Sequence, residues 1–128
     1  MAEGRSYDGF VPGRHLLDSY GAGGFRFADM SHRGSILALP SGIKAWWVTS
    51  AEELSEKAFA PVLAEAEAID LLLVGTGRDL VALQPSLRWR FADAKIAVET
   101  MQTGAAARTY NILLAENRKV AAALIAVA

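Results

Sequence analysis

The sequence predicts one three-layer α/β domain built on a mixed central sheet, with a small antiparallel sheet at its N-terminal end. Residues 70–128 alternate apolar runs with helical stretches in the order β-α-β-α-β, which requires parallel strands and right-handed crossovers. Residues 16–48 carry short apolar runs between turn residues, which is typical of an antiparallel meander. Because 128 residues suit one core, we expect a single domain over residues 1–128, with residues 1–12 loosely ordered.

Two hairpins are predicted within the meander. The first joins residues 16–20 to residues 25–27 across a glycine-rich break. The second joins residues 35–39 to residues 43–48 through residues 40–42, where proline presets a turn and glycine permits a positive φ.

The segment after the second hairpin is predicted to be helical. Thr49 or Ser50 provides a cap for a helix that begins near Ala51, and glutamates in its first turn complement the helix dipole. Pro61 either kinks this helix or opens a second short helix that runs to about Ala68.

The β-α-β-α-β core begins with residues 70–74, a continuous apolar run that predicts a strand covered on both faces. Residues 120–127 suit a helix by their alanine content and a strand by their position after a helix and a turn; we predict a strand. The elements between them are a helix over 85–91, a strand over 96–100 and a helix that follows Thr103-Gly104 and runs to Glu116.

Composition limits the classes of function. The net charge of −1 argues against a general electrostatic grip on nucleic acid, and the absence of cysteine excludes disulfides and thiolate chemistry. No apolar run approaches the ~20 residues that span a bilayer, and the start of the chain does not resemble a signal peptide. We therefore expect a soluble, cytoplasmic protein that binds no nucleic acid and does not insert into a membrane.

No catalytic set can be assembled from the sequence. His15 and His32 are the two histidines, and neither belongs to a metal-ligand spacing or a Ser-His-acid arrangement. Surface positions are predicted for both. We predict no catalytic residue, no metal and no cofactor, so an enzymatic activity is not indicated.

Candidate ligand-binding residues follow the first predicted parallel strand. Gly75, Thr76 and Gly77 form a turn in which glycine backbone N–H groups can approach an anion. The dinucleotide fingerprint is incomplete, because Leu80 occupies the place of its third glycine, and no Walker lysine follows. The pattern favours the alternative interpretation, a simple chain turn.

Further candidates surround the start of the last predicted helix. Thr103 and Gly104 precede it, and its face carries Arg108 and Asn111 one turn apart. In one interpretation these groups and the glycine turn form a polar pocket for a small anion at the carboxyl ends of the strands. In the other, Arg108 and Asn111 tie the loops together by hydrogen bonds. Arg108 is expected to have an acceptor in either case.

Trp46 and Trp47 are candidate interface residues. As neighbours on a predicted strand they must face opposite sides of the sheet. Exposed tryptophan is enriched at protein interfaces, although burial of both side chains between the small sheet and the helices is the commoner outcome.

Two stretches of the sequence resemble a known family. They are residues 71–77, LLLVGTG, and residues 99–111, ETMQTGAAARTYN. They are similar to those of a small-domain family, long labelled as of unknown function, that includes the mitochondrial respiratory complex I assembly factor 3 and the adipogenesis-associated domain protein. The resemblance implies a compact α/β fold, no firmly attached enzymatic activity, and partnership with membrane respiratory complexes. Many members place a cysteine where this chain has Ala107, so a thiol role does not transfer.

Two hypotheses follow for the function. The first is a non-enzymatic protein-binding or assembly factor, which the missing catalytic set and the resemblance favour. The alternative is a small-molecule or anion-binding protein, or an enzyme, that uses the loops at the carboxyl ends of the parallel strands.

Overall fold

Two β-sheets and three helices organise residues 8–128, the part of the chain that the computed structural model describes. The strands are β1 (Phe10–Pro12), β2 (Leu17–Gly21), β3 (Gly24–Phe27), β4 (Met30–Arg33), β5 (Ser35–Leu39), β6 (Gly42–Trp46), β7 (Leu71–Gly75), β8 (Ala97–Met101) and β9 (Val120–Leu124). The helices are α1 (Ala60–Leu63), α2 (Pro85–Asp93) and α3 (Thr103–Ala115). The larger sheet has the order β1-β6-β5-β9-β7-β8, and the smaller has the order β2-β3-β4.

The strand order confirms the predicted mixed topology. β7 pairs in parallel with β8 on one side and with β9 on the other. β9 pairs antiparallel with β5 and so joins the parallel strands to the β5-β6 hairpin. The strand predicted over residues 120–127 therefore lies in the middle of the sheet, where all five residues of β9 are buried.

Apolar side chains cover both faces of the large sheet and so produce three layers. On one face, Leu72 and Val74 belong to a cluster that contains Phe59 and Phe91, next to α1 and in α2. On the other face, Leu73 packs with side chains of α3 and of the small sheet. The division follows from the strand geometry, because successive residues of β7 point to opposite faces.

The small sheet packs on the α3 face through one of its sides. Phe25 and Phe27 are buried there, whereas Arg26 between them is exposed. β4 was not predicted, because its mostly polar residues are recognisable as a strand only through their pairing with β3. The surface position predicted for His32 is wrong: His32 is buried, and its Nε2 lies 3.1 Å from the carbonyl oxygen of Ser35.

The N-terminal expectation is corrected in part. A loosely ordered segment was predicted over residues 1–12, but Phe10–Pro12 pair with β6 as β1. The physical reason is a sheet edge that needs backbone partners, which local composition does not reveal. Residues 1–7 lie outside the described residues.

The helix predicted near Ala51 is reduced to one 3₁₀ turn, Ala51–Glu53. The chain leaves it at Leu54, whose extended backbone accompanies burial of its side chain in the core. The Glu53 carboxylate accepts hydrogen bonds from the backbone N–H and the hydroxyl of Thr49, at 2.6 and 3.0 Å, which hold the pKa of Glu53 below its usual value. Pro61 lies in the first turn of α1, as the second of its two predicted roles required. The helix ends at Leu63 and not near Ala68, and Ala66–Ala68 form a separate 3₁₀ turn.

Candidate functional site

The two loops that carry most of the predicted ligand residues lie against each other at the carboxyl ends of β7 and β8. The backbone N–H of Gly77 donates to Thr103 Oγ1 at 2.9 Å, and the N–H of Thr103 donates to the carbonyl oxygen of Gly77 at 2.8 Å. Thr103 Oγ1 donates in turn to the carbonyl oxygen of Ile125 at 2.7 Å. The fully buried Thr103 hydroxyl therefore links the ends of three strands.

This junction lies at the topological switch point of the sheet. The loop after β7 leads to α2 on one face, and the loop after β8 leads to α3 on the other. In open α/β sheets the crevice between such diverging loops is the usual ligand site. Here the two hydrogen bonds between Gly77 and Thr103 span the crevice, so these polar groups are used by the protein itself.

Gly75 and Thr76 complete the junction. A Cβ atom on Gly75 would lie 2.9 Å from the Cα atom of Thr103, so the two backbones approach as closely as glycine permits. Thr76 Oγ1 donates to the carbonyl oxygen of Asp79 at 2.6 Å and accepts from the N–H of Val81 at 3.1 Å. The glycine turn therefore closes on itself and on the start of α3.

Asn111 joins α3 to the small sheet. Its Oδ1 accepts from the backbone N–H of Leu17 at 2.8 Å, and its Nδ2 donates to the carbonyl oxygen of Leu17 at 2.7 Å. One amide side chain thus satisfies both backbone groups of the first residue of β2. For Asn111, this geometry supports the interpretation in which the side chain links two segments by hydrogen bonds.

Arg108 lies one turn before Asn111 but is exposed to solvent. Within residues 8–128 its guanidinium makes no hydrogen bond or ion pair, so the acceptor expected from the sequence is not found there. The group is open to solvent, because the neighbouring Ala106 and Ala107 are buried against the core whereas Arg108 lies on the exposed side of α3. A cavity of about 340 Å³ lies beside Arg108, lined also by Asp18 and Tyr20.

The predicted site residues therefore divide between two places. Gly104 packs under the ring of Tyr20, where a Cβ atom would collide with the tyrosine hydroxyl. Tyr20 also lines the cavity beside Arg108, so this place belongs to the interface of β2 and α3. The closed junction contains Gly75, Thr76, Gly77 and Thr103, and the β2–α3 side contains Gly104, Arg108 and Asn111.

Trp46 and Trp47 have opposite environments. Trp46 is 5% exposed, its Nε1 donates to the carbonyl oxygen of Ala58 at 2.8 Å, and its ring centroid lies 5.6 Å from that of Phe59. Trp47 is 54% exposed. Of the two interface candidates, Trp46 is a core residue and Trp47 lies at the surface. The expectation that both are buried is therefore wrong for Trp47, which follows the last residue of β6.

A shallow groove of about 680 Å³, which the sequence did not indicate, lies where β7 and β9 end. Its lining combines the turn after β6, the loop after β7 and the C-terminal residues 125–128. Arg78 and Asp79 are exposed on it among mostly small and apolar residues. Local sequence patterns missed the groove because it exists only where these distant segments meet.

Two further properties concern chemistry in the described part of the chain. Among residues 8–128, no three histidine or carboxylate side chains converge as metal ligands, and no helix is long and apolar enough to cross a bilayer.

Burial raises the pKa of Tyr110, and the positive charge of Arg14 opposes this rise in part. Tyr110 packs in the core on the α3 side of the large sheet.

The fold and the junction together define a three-layer α/β domain in which hydrogen bonds between two loops close the crevice at the switch point. The chain belongs to the family described as protein of unknown function (DUF498/DUF598), whose sequence profile matches residues 17–125. An uncharacterized protein of Rhodobacter capsulatus is 38% identical over 109 residues, which cover 85% of this chain and 82% of that protein.

Two other relatives extend the comparison. NADH dehydrogenase (ubiquinone) 1 alpha subcomplex assembly factor 3 of Mus musculus is 32% identical over 109 residues, which cover 85% of this chain and 59% of the mouse protein. The chain thus spans less than two thirds of that relative. A crystal structure of a Bartonella henselae protein, called an outer membrane protein, has 50% identity and a TM-score of 0.88, covering 91% of this chain and 98% of that one. The predicted family and fold are confirmed.

Proposed function

We propose that the chain is a non-enzymatic protein-binding domain of the assembly-factor type. The observation that carries the proposal is the use of the switch point: hydrogen bonds between Gly77 and Thr103 join the loops where an α/β domain usually holds a small ligand. Trp47 is meanwhile largely exposed. Tryptophan is enriched among the residues that dominate protein interfaces.

The proposed partner is a polypeptide of a membrane respiratory complex. The family relationship to a complex I assembly factor supports this partner. In the proposal the domain acts in the cytoplasm, without a cofactor and without nucleic acid. The net charge of −1 provides no basic excess for a nucleic-acid partner.

Replacing Trp47 by serine is expected to lower recovery of respiratory-complex subunits by about tenfold or more, because a buried interface tryptophan contributes on the order of 2 kcal/mol. The measurement is affinity purification of the tagged chain from detergent-solubilised membranes of its native host, with quantitative mass spectrometry. Trp89→Ser is the matched control, since Trp89 is 72% exposed on α2. Unchanged recovery with Trp47→Ser would contradict the assignment of Trp47.

The cavity beside Arg108 favours a second candidate function, the binding of a small anion. The guanidinium there is exposed and makes no hydrogen bond or ion pair within residues 8–128. Its planar fork of N–H donors suits a carboxylate or a phosphate group. Asp18 on the same cavity opposes a highly charged anion, so a singly charged group fits better.

Added acetate, which is singly charged, is expected under this second candidate to raise the melting temperature of the wild-type chain and not that of Arg108→Ala. An anion at about a hundred times its Kd stabilises the folded state by about 2.7 kcal/mol. Without anion the two proteins are expected to melt together, because Arg108 has no internal partner among the described residues. Arg118→Ala is the matched control for general charge effects, because Arg118 is also exposed. If the anion raises the melting temperatures of the wild type and Arg108→Ala equally, Arg108 does not bind the anion.

A further inference from the structure

β8 is an edge strand of the large sheet. It pairs with β7 on one side, and within residues 8–128 no strand pairs with its other side. Its five residues run in an unbroken register with β7, from Leu71 opposite Ala97 to Gly75 opposite Met101. An open edge of this regularity is a template for a further strand.

Two backbone hydrogen bonds show which backbone groups of β8 face β7. The N–H of Ala97 donates to the carbonyl oxygen of Asp70, and the carbonyl oxygen of Met101 accepts from the N–H of Thr76, both at 2.9 Å. The N–H and C=O of one strand residue point to the same side, and this side alternates along the strand. The backbone N–H and C=O groups of every second residue of β8, counted from Ala97, therefore point toward β7.

The residues between them, Val98 and Thr100, present their backbone groups to the open edge. Each contributes one N–H donor and one C=O acceptor that no strand of the described residues meets. Both residues are β-branched, and β-branched side chains favour the extended conformation. The edge is thus extended and able to form hydrogen bonds.

The opposite edge of the sheet, β1, is constructed differently. Gly9 and Gly13 form backbone hydrogen bonds to the β5-β6 hairpin. The backbone groups of Phe10 and Pro12 therefore point away from the sheet. Proline has no N–H group, and β1 has only three residues. A short edge that ends in proline is protected against strand addition, whereas β8 lacks both features.

The side chains of β8 indicate what an added strand must carry. Val98 packs against the core cluster on the α2 face. Glu99 is exposed, and its register partner Leu73 belongs to the α3 face. A neighbouring strand therefore meets an apolar surface on one side and a carboxylate on the other.

We propose that β8 binds an extended segment of a protein partner as a seventh strand, with a basic side chain of that segment opposite Glu99. The inference deepens the proposed protein-binding function and rests on it. Backbone hydrogen bonds from Val98 and Thr100 supply affinity in this mode, and Glu99 supplies selectivity. Symmetric pairing of two copies about Glu99 is disfavoured, because it would place two carboxylates directly opposite each other.

The test uses two capped peptides of about nine residues, a usual strand length, made of alternating threonine and valine with either lysine or glutamate in the centre. The full chain, labelled with nitrogen-15, is titrated with each peptide, and amide shifts are followed by NMR. The lysine peptide is expected to shift the amides of Val98 and Thr100 and to bind about tenfold more tightly than the glutamate peptide. Glu99→Lys, a surface change, is expected to reverse that preference.

Val98→Pro removes an outward N–H while leaving the β7–β8 hydrogen bonds in place, as edge strands tolerate. It is expected to weaken the lysine peptide about fivefold to tenfold. Absence of binding at about 1 mM peptide, shifts located elsewhere, or the same preference in Glu99→Lys would each overturn the proposal. Protection of the same amides by self-association of the chain, without peptide, would also overturn it. If β8 binds no peptide but recovery of respiratory-complex subunits still falls with Trp47→Ser, the strand-addition proposal fails and the proposed function stands.

Discussion

Replacing Thr103 by valine is expected to lower the free energy of unfolding by about 3 kcal/mol, one of the largest effects of a single-atom change in this chain. Valine has nearly the same shape but cannot accept from the N–H of Gly77 or donate to the carbonyl oxygen of Ile125. Thr103 is fully buried, so water cannot replace the lost hydroxyl. Each buried group left unpaired costs about 1–3 kcal/mol.

Urea denaturation of the purified variant measures this loss directly. Thr109→Val is the matched control, because Thr109 Oγ1 donates to the carbonyl oxygen of Ala105 within the same helix. That carbonyl keeps its helical partner when the hydroxyl is removed, so a change below about 1 kcal/mol is expected. Equal losses in the two variants would mean that the hydroxyl of Thr103 does not join the three strand ends.

Gly75→Ala is expected to destabilise the fold by about 1–3 kcal/mol through overpacking. The added Cβ atom would lie 2.9 Å from Cδ2 of Leu124 and 2.9 Å from Cα of Thr103. The leucine side chain can move, but the Thr103 backbone is held by its hydrogen bonds to Gly77. The melting temperature should fall by several degrees.

Gly77→Ala separates this close approach from backbone strain. Gly77 has a φ of +103°, and nothing lies within 4 Å of the position of its Cβ atom. Alanine there meets only the conformational penalty of about 1 kcal/mol. Gly75 is not among the residues with positive φ, so its predicted intolerance depends on packing alone. An unchanged melting temperature for Gly75→Ala would show that the junction is loosely packed.

Much of the β-α-β-α-β core was predictable from local pattern. The apolar run at residues 70–74 needs cover on both faces, and Pro85 and Asn117 mark helix ends by backbone restrictions that act within one or two residues. The β5-β6 hairpin follows equally from its Pro-Ser-Gly turn. These features depend on interactions among near neighbours, which the sequence displays directly.

Residues at the candidate site show where such prediction stops. Thr103 and Asn111 were recognised as polar groups near strand ends, but their partners lie 22 to 94 positions away in the chain. The choice between a ligand and an internal partner depends on which backbone group meets each side chain. For Arg108 the outcome depends on the side of α3 that faces solvent.

By itself the sequence determined the fold class and the family. The tertiary structure decided that the switch point is joined by Gly77 and Thr103, that β4 exists, and that β8 is the open edge. The reason is physical: local propensity depends on a few adjacent residues, whereas strand order and the closing of a crevice depend on the global minimum of many long-range contacts.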